Sequence, residues 1–376
     1  MIVLGARPQF IKSAPIIHEL LKRRAIALQI VNSGQHYDYE LSQIFFDQLK
    51  LPPPALNLQV GSGSHAIQTA KAMTRIEQAI LKLKPDLVLV PGDTNTTLAA
   101  ALAAAKLNVP VGHIEAGARS FDMTMPEEIN RRVTDHVSAV LFAPTKTTER
   151  NLRNEGIPAG RIFQVGDTIV DAVRTVLPRA RKSQEALFEK IDLRERDFVL
   201  MTAHRPDNVD NPQRLRSIVN ALSQISKNMR VIFPAHPRVM HNLKSRGLMR
   251  RLHFFPNITL IKPVGYVEMI ALLDAASAIL TDSGGLQKEA YLLGVACTTM
   301  RNSTEWPETL KARANRLVDA DPEEIIHNVL DSRNAGPRMR LYDNNPFSRG
   351  GASKRIVDII SSNDEWLQEV RGIFRP

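Results

Sequence analysis

Three acids lie where a strand gives way to a loop or a helix opens. Asp93 falls in Pro91-Gly92-Asp93-Thr94, and Glu115 in His113-Ile114-Glu115-Ala116-Gly117-Ala118-Arg119. Glu127 falls in Met125-Pro126-Glu127-Glu128-Ile129-Asn130-Arg131-Arg132. Carboxylates gathered near one another raise each other's pKa, so that one donates a proton while another accepts. His204, in Thr202-Ala203-His204-Arg205-Pro206, adds a group that balances phosphate charge or shuttles a proton. Each residue also has a plainer use. Asp93 is either the N-cap of the following helix or free for chemistry, in which case Thr94 or Asn95 is the cap. One of Glu127 and Glu128 is accounted for by the helix macrodipole, which favours acids in a first turn.

A second set of residues suits a phosphate. Thr281-Asp282-Ser283-Gly284-Gly285-Leu286-Gln287-Lys288-Glu289 joins an apolar strand to a helix that ends at Gly294. A Ser-Gly-Gly turn there exposes backbone N–H groups at a helix N-terminus, where an anion binds. Glu289 stands one turn further on, within reach of a ribose hydroxyl. Arg7, in Gly5-Ala6-Arg7-Pro8, ends the first strand with a side chain that donates two hydrogen bonds to a phosphate. His236, in Pro234-Ala235-His236-Pro237, is either packed between prolines or a ligand group. No metal-ligand spacing, Gly-x-Gly-x-x-Gly fingerprint or Walker lysine loop is present, so no metal or redox cofactor is expected.

The elements that hold these residues alternate. Strands are expected at Ile2–Leu4, Ala27–Asn32, Leu87–Pro91, Val109–Ile114, Val140–Ala143 and Ile162–Val165. The pattern restarts at Phe198–Thr202, Val231–Pro234, Ile258–Ile261, Ala278–Thr281 and Cys297–Met300, with helical stretches between. This is an α/β chain with two doubly wound, Rossmann-like domains. Residues 1–168 form the first, and residues 169–353 the second, nucleotide-binding one. A C-terminal helix, 354–376, packs back on the first. In such folds ligands bind outside the carboxyl ends of the strands, where the loops with Arg7, Asp93, Glu115, His204 and Asp282-Ser283-Gly284-Gly285 fall. The expected site is thus a cleft that the two domains face.

Composition narrows the class further. The chain has 376 residues, 43% hydrophobic and 23% charged, the mix of a globular protein. No apolar run is long enough to span a bilayer, and the N-terminus does not read as a secretory signal. The net charge of +10 is expected to be spread over helices and interleaved with acids. With no aromatic–basic interleaving, neither nucleic acid nor membrane is an expected partner, and the positive field suits a small anionic substrate. The single Cys297 fits a reducing cytoplasm.

Taken in order, these segments resemble the non-hydrolysing UDP-N-acetylglucosamine 2-epimerases over nearly the whole chain. The matching motifs are Gly5-Ala6-Arg7-Pro8-Gln9, Gly34-Gln35-His36, Pro91-Gly92-Asp93-Thr94-Asn95, Ile114-Glu115-Ala116-Gly117, Met125-Pro126-Glu127-Glu128-Ile129-Asn130-Arg131, Asp282-Ser283-Gly284-Gly285-Leu286-Gln287-Lys288-Glu289 and Thr304-Glu305-Trp306-Pro307-Glu308. The resemblance implies a glycosyltransferase-B-type fold, a homodimer and UDP in the interdomain cleft. It implies that Asp93, Glu115, Glu127 and His204 line the reacting sugar. Arg7, Arg131, Ser283, Gly284, Gly285 and Glu289 hold the UDP. Ala6 and Ala118 depart from the family's usual Thr and Leu without replacing a reacting group. The segment Gly34-Gln35-His36-Tyr37-Asp38-Tyr39 departs further from enzymes activated by a second substrate molecule. It is closer to the branch with archaeal enzymes and epimerases of diacetamido-glucuronate sugars. The reaction implied is elimination of UDP to a 2-acetamidoglycal, then re-addition. Rival readings are an epimerase of a related UDP-2-acetamido sugar, a hydrolysing 2-epimerase, a glycosyltransferase and a non-catalytic nucleotide-sugar sensor.

Overall fold

The computed structural model describes residues 1–35, 39–193, 198–334 and 345–362. His36, Tyr37 and Asp38, and the chain beyond Ser362, lie outside them. The chain divides into two units, Met1–Arg174 with the chain from Pro346 onward, and Thr175–Asn345. The helix Thr168–Ile191 runs from one into the other. Helix Ala352–Ser361 belongs to the first unit, where Arg23 pairs with Asp358 and Asp171 accepts from the Gly351 amide at 2.6 Å.

The first unit is built on seven parallel strands: β1 (Ile2–Leu4), β2 (Ile30–Asn32), β3 (Leu56–Asn57), β4 (Val88–Pro91), β5 (Val111–Ile114), β6 (Val140–Ala143) and β7 (Ile162–Gln164). Their spatial order is β3-β2-β1-β4-β5-β6-β7. Central strands are buried from end to end, as parallel strands covered on both faces must be. Two helices pack closely on one face, His65–Leu83 and Asn95–Lys106. Alanines at 99, 100, 103 and 104, all buried, let their backbones approach.

The second unit carries six parallel strands: β8 (Phe198–Thr202), β9 (Arg230–Pro234), β10 (Ile258–Ile261), β11 (Ala278–Thr281), β12 (Ala296–Thr299) and β13 (Asn315–Leu317). Their order is β10-β9-β8-β11-β12-β13. Val199, Met201, Val231, Phe233 and Leu280 form its core with Leu215, Ile218 and Leu222 from helix Pro212–Ile225. Cys297 is buried in β12, where loss of solvent pushes its thiol up to about 12. No described helix is long and apolar enough to cross a membrane.

Strand order reverses between β1 and β4 in the first sheet and between β8 and β11 in the second. Side connections run opposite ways from those pairs, which leaves a crevice at the carboxyl ends of the strands. Both expected clusters sit there. The charge is less even than expected. No acid occurs between Asp210 and Glu268, a stretch that holds Arg214, Arg216, Lys227, Arg230, Arg238, Lys244, Arg246, Arg250, Arg251 and Lys262. The positive excess therefore belongs to one edge of the second sheet, around β9 and β10, and the expected interleaving with acids does not hold there.

Candidate active site

At the β1–β4 crevice the chain needs a residue without a side chain. A Cβ on Gly5 would lie 2.1 Å from Ser33 Oγ and 2.4 Å from Thr96 Oγ1. Gln9 then joins the two loops. Its side-chain oxygen accepts from the amides of Gly5 and Ala6 at 2.7 and 3.0 Å. Its amide donates to Pro91 O and Thr97 Oγ1, both at 2.9 Å. The crevice floor is thereby fixed before any functional group is placed.

Thr94 is the N-cap of helix Asn95–Lys106, its Oγ1 accepting from the Thr97 amide at 3.3 Å. Asp93 is therefore not consumed as a cap. Its Oδ2 accepts from Arg131 Nη1 at 2.6 Å, and about a third of the side chain stays exposed, 30%. Arg131 is held in turn by Glu128, through Nε at 3.1 Å and Nη2 at 2.7 Å. Glu128 is fully buried. Burial alone would raise its pKa, but Arg131 and the two Ser120 donors outweigh that and hold it below the ordinary value. The adjacent acids thus divide: Glu128 anchors Arg131, and Glu127 is half-buried with no carboxylate partner among the described residues.

Glu115 is buried, and its backbone is left-handed at φ 71°. That conformation costs a non-glycine residue roughly 1–2 kcal/mol, a strain that persists at functional sites. Its Oε1 lies 2.6 Å from the buried Nζ of Lys12. Burial disfavours the Lys12 charge, but Glu115, Asp93 and Asp167 outweigh it and hold the ammonium above its ordinary range. Sequence reasoning passed over Lys12. The available signal was a lysine on the stripe Gln9, Lys12, Ser13, Ile16, Ile17 and Leu20, which helix Arg7–Leu21 turns inward. Arg7, at the start of that helix, is half-buried with its guanidinium 5.3 Å from the Phe45 ring centroid; burial lowers its pKa.

The β8–β11 crevice is organised by Asp282, which sequence reasoning quoted but did not assign. Its carboxylate is fully buried and accepts from the amides of His204 at 3.0 Å and Arg205 at 3.0 Å, and from Asn208 Nδ2 at 3.2 Å. His204 Nδ1 lies 2.9 Å from it. Burial acts to raise the Asp282 pKa, yet His204 and the amide donors win and bring it down to about 2. This bond orients the imidazole of His204, more than half of which is exposed.

Beside it, Ser283 caps helix Gly284–Leu293, its Oγ accepting from the Leu286 amide at 3.4 Å. The amides of Gly284 and Gly285 have no acceptor among the described residues. They are the outward-pointing donors of a helix N-terminus. Glu289 is buried one turn along. His236 is exposed, neither packed between its prolines nor buried; it is the N-cap of helix Pro237–Ser245 and accepts from the Arg238 amide at 3.3 Å.

Asp93, Glu115, Arg131 and Lys12 thus meet at the first crevice, with Glu127 on the helix that carries Arg131. His204, Ser283, Gly284 and Gly285 meet at the second. The first arrangement is chemically able to move protons beside fixed cations, and the second offers donors that suit an anion.

The family model described as UDP-N-acetylglucosamine 2-epimerase matches residues 18–361. A Methanocaldococcus jannaschii protein named UDP-N-acetylglucosamine 2-epimerase is 46% identical over 364 residues, 96% of this chain and 98% of that one. The UDP-2,3-diacetamido-2,3-dideoxy-D-glucuronate 2-epimerase of Pseudomonas aeruginosa is 44% identical over 363 residues, again 96% and 98%. Among solved structures, the M. jannaschii UDP-GlcNAc 2-epimerase in complex with UDP-GlcNAc and UDP superposes with a TM-score of 0.91 at 46% identity, over 96% of this chain and 99% of that one.

Proposed function

This chain belongs to the UDP-N-acetylglucosamine 2-epimerase family, and on that premise we propose that it interconverts UDP-GlcNAc and UDP-ManNAc without hydrolysis. The reading is carried by two crevices, one in each unit. One gathers carboxylates around a buried lysine, and the other presents free glycine amides at a helix N-terminus.

Carbon 2 of a 2-acetamido sugar adjoins no carbonyl, so its proton is not acidic and simple deprotonation is prohibitive. Elimination avoids that. As a base takes the C2 proton, the C–H electron pair forms a C1–C2 double bond, and UDP leaves C1 with the electrons of its C–O bond. Positive character at C1 lowers the barrier. UDP then returns to C1 as a proton is delivered to the other face of C2. Both proton transfers suit carboxylates.

We assign them to Glu127, which no cation holds among the described residues, and to Asp93, which Arg131 orients. Glu115, beside Lys12, serves the positive centre. The Gly284 and Gly285 amides and Ser283 hold the diphosphate, where preorganised donors act most strongly as charge develops. His204, aimed by Asp282, and Arg7 assist the departing phosphate, and Glu289 holds the ribose. Arg131, by contrast with the expectation that it binds UDP, supports the reading better as the partner of Asp93 and Glu128. His236 stands at the mouth of the neighbouring strand β9 as a secondary contact. The acting species is a homodimer, a reading supported by exposed Ile67 and Leu81 on one helix. A reduced, buried Cys297 accords with the cytoplasm.

NMR of the protein with UDP-GlcNAc in deuterated water tests this. Deuterium should enter C2 as gluco and manno forms equilibrate. Conversion with the C2 hydrogen retained excludes the elimination, and free N-acetylmannosamine as main product favours hydrolysis. The same assay with UDP-2,3-diacetamido-glucuronate tests the sugar handled by the Pseudomonas relative.

A further inference from the structure

Behind the first crevice lies a buried charge network that the reaction does not touch. His113, on β5, is fully buried. Its Nε2 lies 2.8 Å from the carbonyl oxygen of Gly92, and its Nδ1 lies 2.6 Å from Asp135 Oδ1. Asp135 Oδ2 accepts from the Gly117 amide at 3.1 Å and pairs with Arg119 Nη2 at 2.7 Å. Arg119 continues outward to Glu155 at 2.7–2.8 Å. Gly92 immediately precedes Asp93, and Gly117 follows Glu115 by two residues. Two side chains therefore tie together the loops that carry two of the three carboxylates.

Both loops need such a tie. Gly92, Glu115 and Gly117 all have left-handed backbones, at φ 70°, 71° and 79°. A Cβ on Gly117 would lie 2.2 Å from the Thr148 carbonyl oxygen, so this turn sits tight against helix Lys146–Asn154. A carbonyl oxygen only accepts, and an ionised carboxylate only accepts. Against its burial, His113 and Arg119 hold Asp135 below its ordinary range, and the His113 ring is held between its carboxylate and the Gly92 carbonyl oxygen.

We propose that His113 and Asp135 are positioning residues for the epimerisation, setting the distance between Asp93 and Glu115 by clamping Gly92 and Gly117. Neither touches substrate. The proposal rests on the assignment of Asp93 and Glu115 to the reaction. A misplacement of reacting groups by about 1 Å costs on the order of 10²-fold in rate.

The test compares His113→Ala, His113→Asn and Asp135→Asn with Asp93→Asn as reference. His113→Ala and Asp135→Asn should each lower kcat by ~10²-fold, while the Kd for UDP, set by the Gly284–Gly285 amides in the other unit, changes less than about threefold. Added imidazole should restore part of the His113→Ala turnover by refilling the cavity. His113→Asn, which keeps one donor, should fall between. A merely structural role would lower thermal stability with kcat per folded molecule unchanged, and that result overturns the proposal. Nitrogen NMR of the wild-type ring is independent of any variant's folding. Both ring nitrogens should show hydrogen-bond coupling, Nδ1 to Asp135 and Nε2 to Gly92, and a ring nitrogen free of hydrogen bonding overturns the clamp. If Asp93→Asn itself turns over normally, the underlying assignment fails instead.

Discussion

Asp282→Asn separates the electrostatic reading of the second crevice from a packing one. The carboxylate is fully buried, and its pKa falls from an ordinary 3.8 to about 2. At 1.36 kcal/mol per unit this is about 2 kcal/mol of stability. Asparagine removes that and also leaves a single side-chain oxygen to accept from the His204, Arg205 and Asn208 N–H groups, so that buried polar groups are left poorly satisfied at roughly 1–3 kcal/mol. The expected loss at pH 7 is therefore about 4 kcal/mol, or on the order of 10 °C in the melting of the second unit. The sign of the pH dependence is fixed. A folded-state pKa below the unfolded one gives stability that is complete above about pH 4 and is lost as pH falls toward 2. Urea melts of wild type and variant at pH 7, 4 and 3 should show a gap that is widest at pH 7 and narrows below 4. Turnover should fall as well, since His204 loses the acceptor that aims it. A gap under about 0.5 kcal/mol at pH 7, or one that widens on acidification, refutes the reasoning.

Three further outcomes are expected. Asp93→Asn and Glu127→Gln should each cut turnover by at least ~10²-fold while UDP affinity moves less than about tenfold. Because Thr94 is the cap, melting of Asp93→Asn should stay close to wild type, and a loss of ~1 kcal/mol without a kinetic defect would restore the capping role. Lys12→Met removes the cation from a buried pair and should cost ~3 kcal/mol, part of it recovered in the double variant with Glu115→Gln; additive single effects in that cycle would mean the two do not couple. Gly285→Val meets no atom closer than 3.9 Å from its Cβ in the free fold, so melting should hold while calorimetric UDP affinity drops at least ~10-fold, and unchanged affinity removes the turn from the site.

The alternation of apolar runs and helical patterns was enough to place eleven of the strands and the loops at their carboxyl ends, because buried parallel strands must be continuously apolar. Those loops held the acids, the histidine and the glycine turn, so a candidate chemistry was legible without coordinates. The edge strands β3 and β13 were not: Leu56-Asn57 and Asn315-Arg316-Leu317 contain no apolar run, and they are defined only by the neighbours they pair with. The stretch Val239–Arg251 reads as one helix but breaks where Gly247 turns left-handed, since helical spacing continues across a single turn residue. Individual roles were likewise decided in three dimensions. Local sequence cannot say whether Asp93 or Thr94 caps, or which of Glu127 and Glu128 meets Arg131, because each pair is one residue apart and chemically alike. Lys12, His113, Asp135 and Asp282 acquire their roles only when strand order brings them beside residues far away in the chain. A charge inside an otherwise apolar face is the one trace such a partner leaves in sequence. The partner itself is fixed by sheet order, which pairs β1 with β4 and β8 with β11.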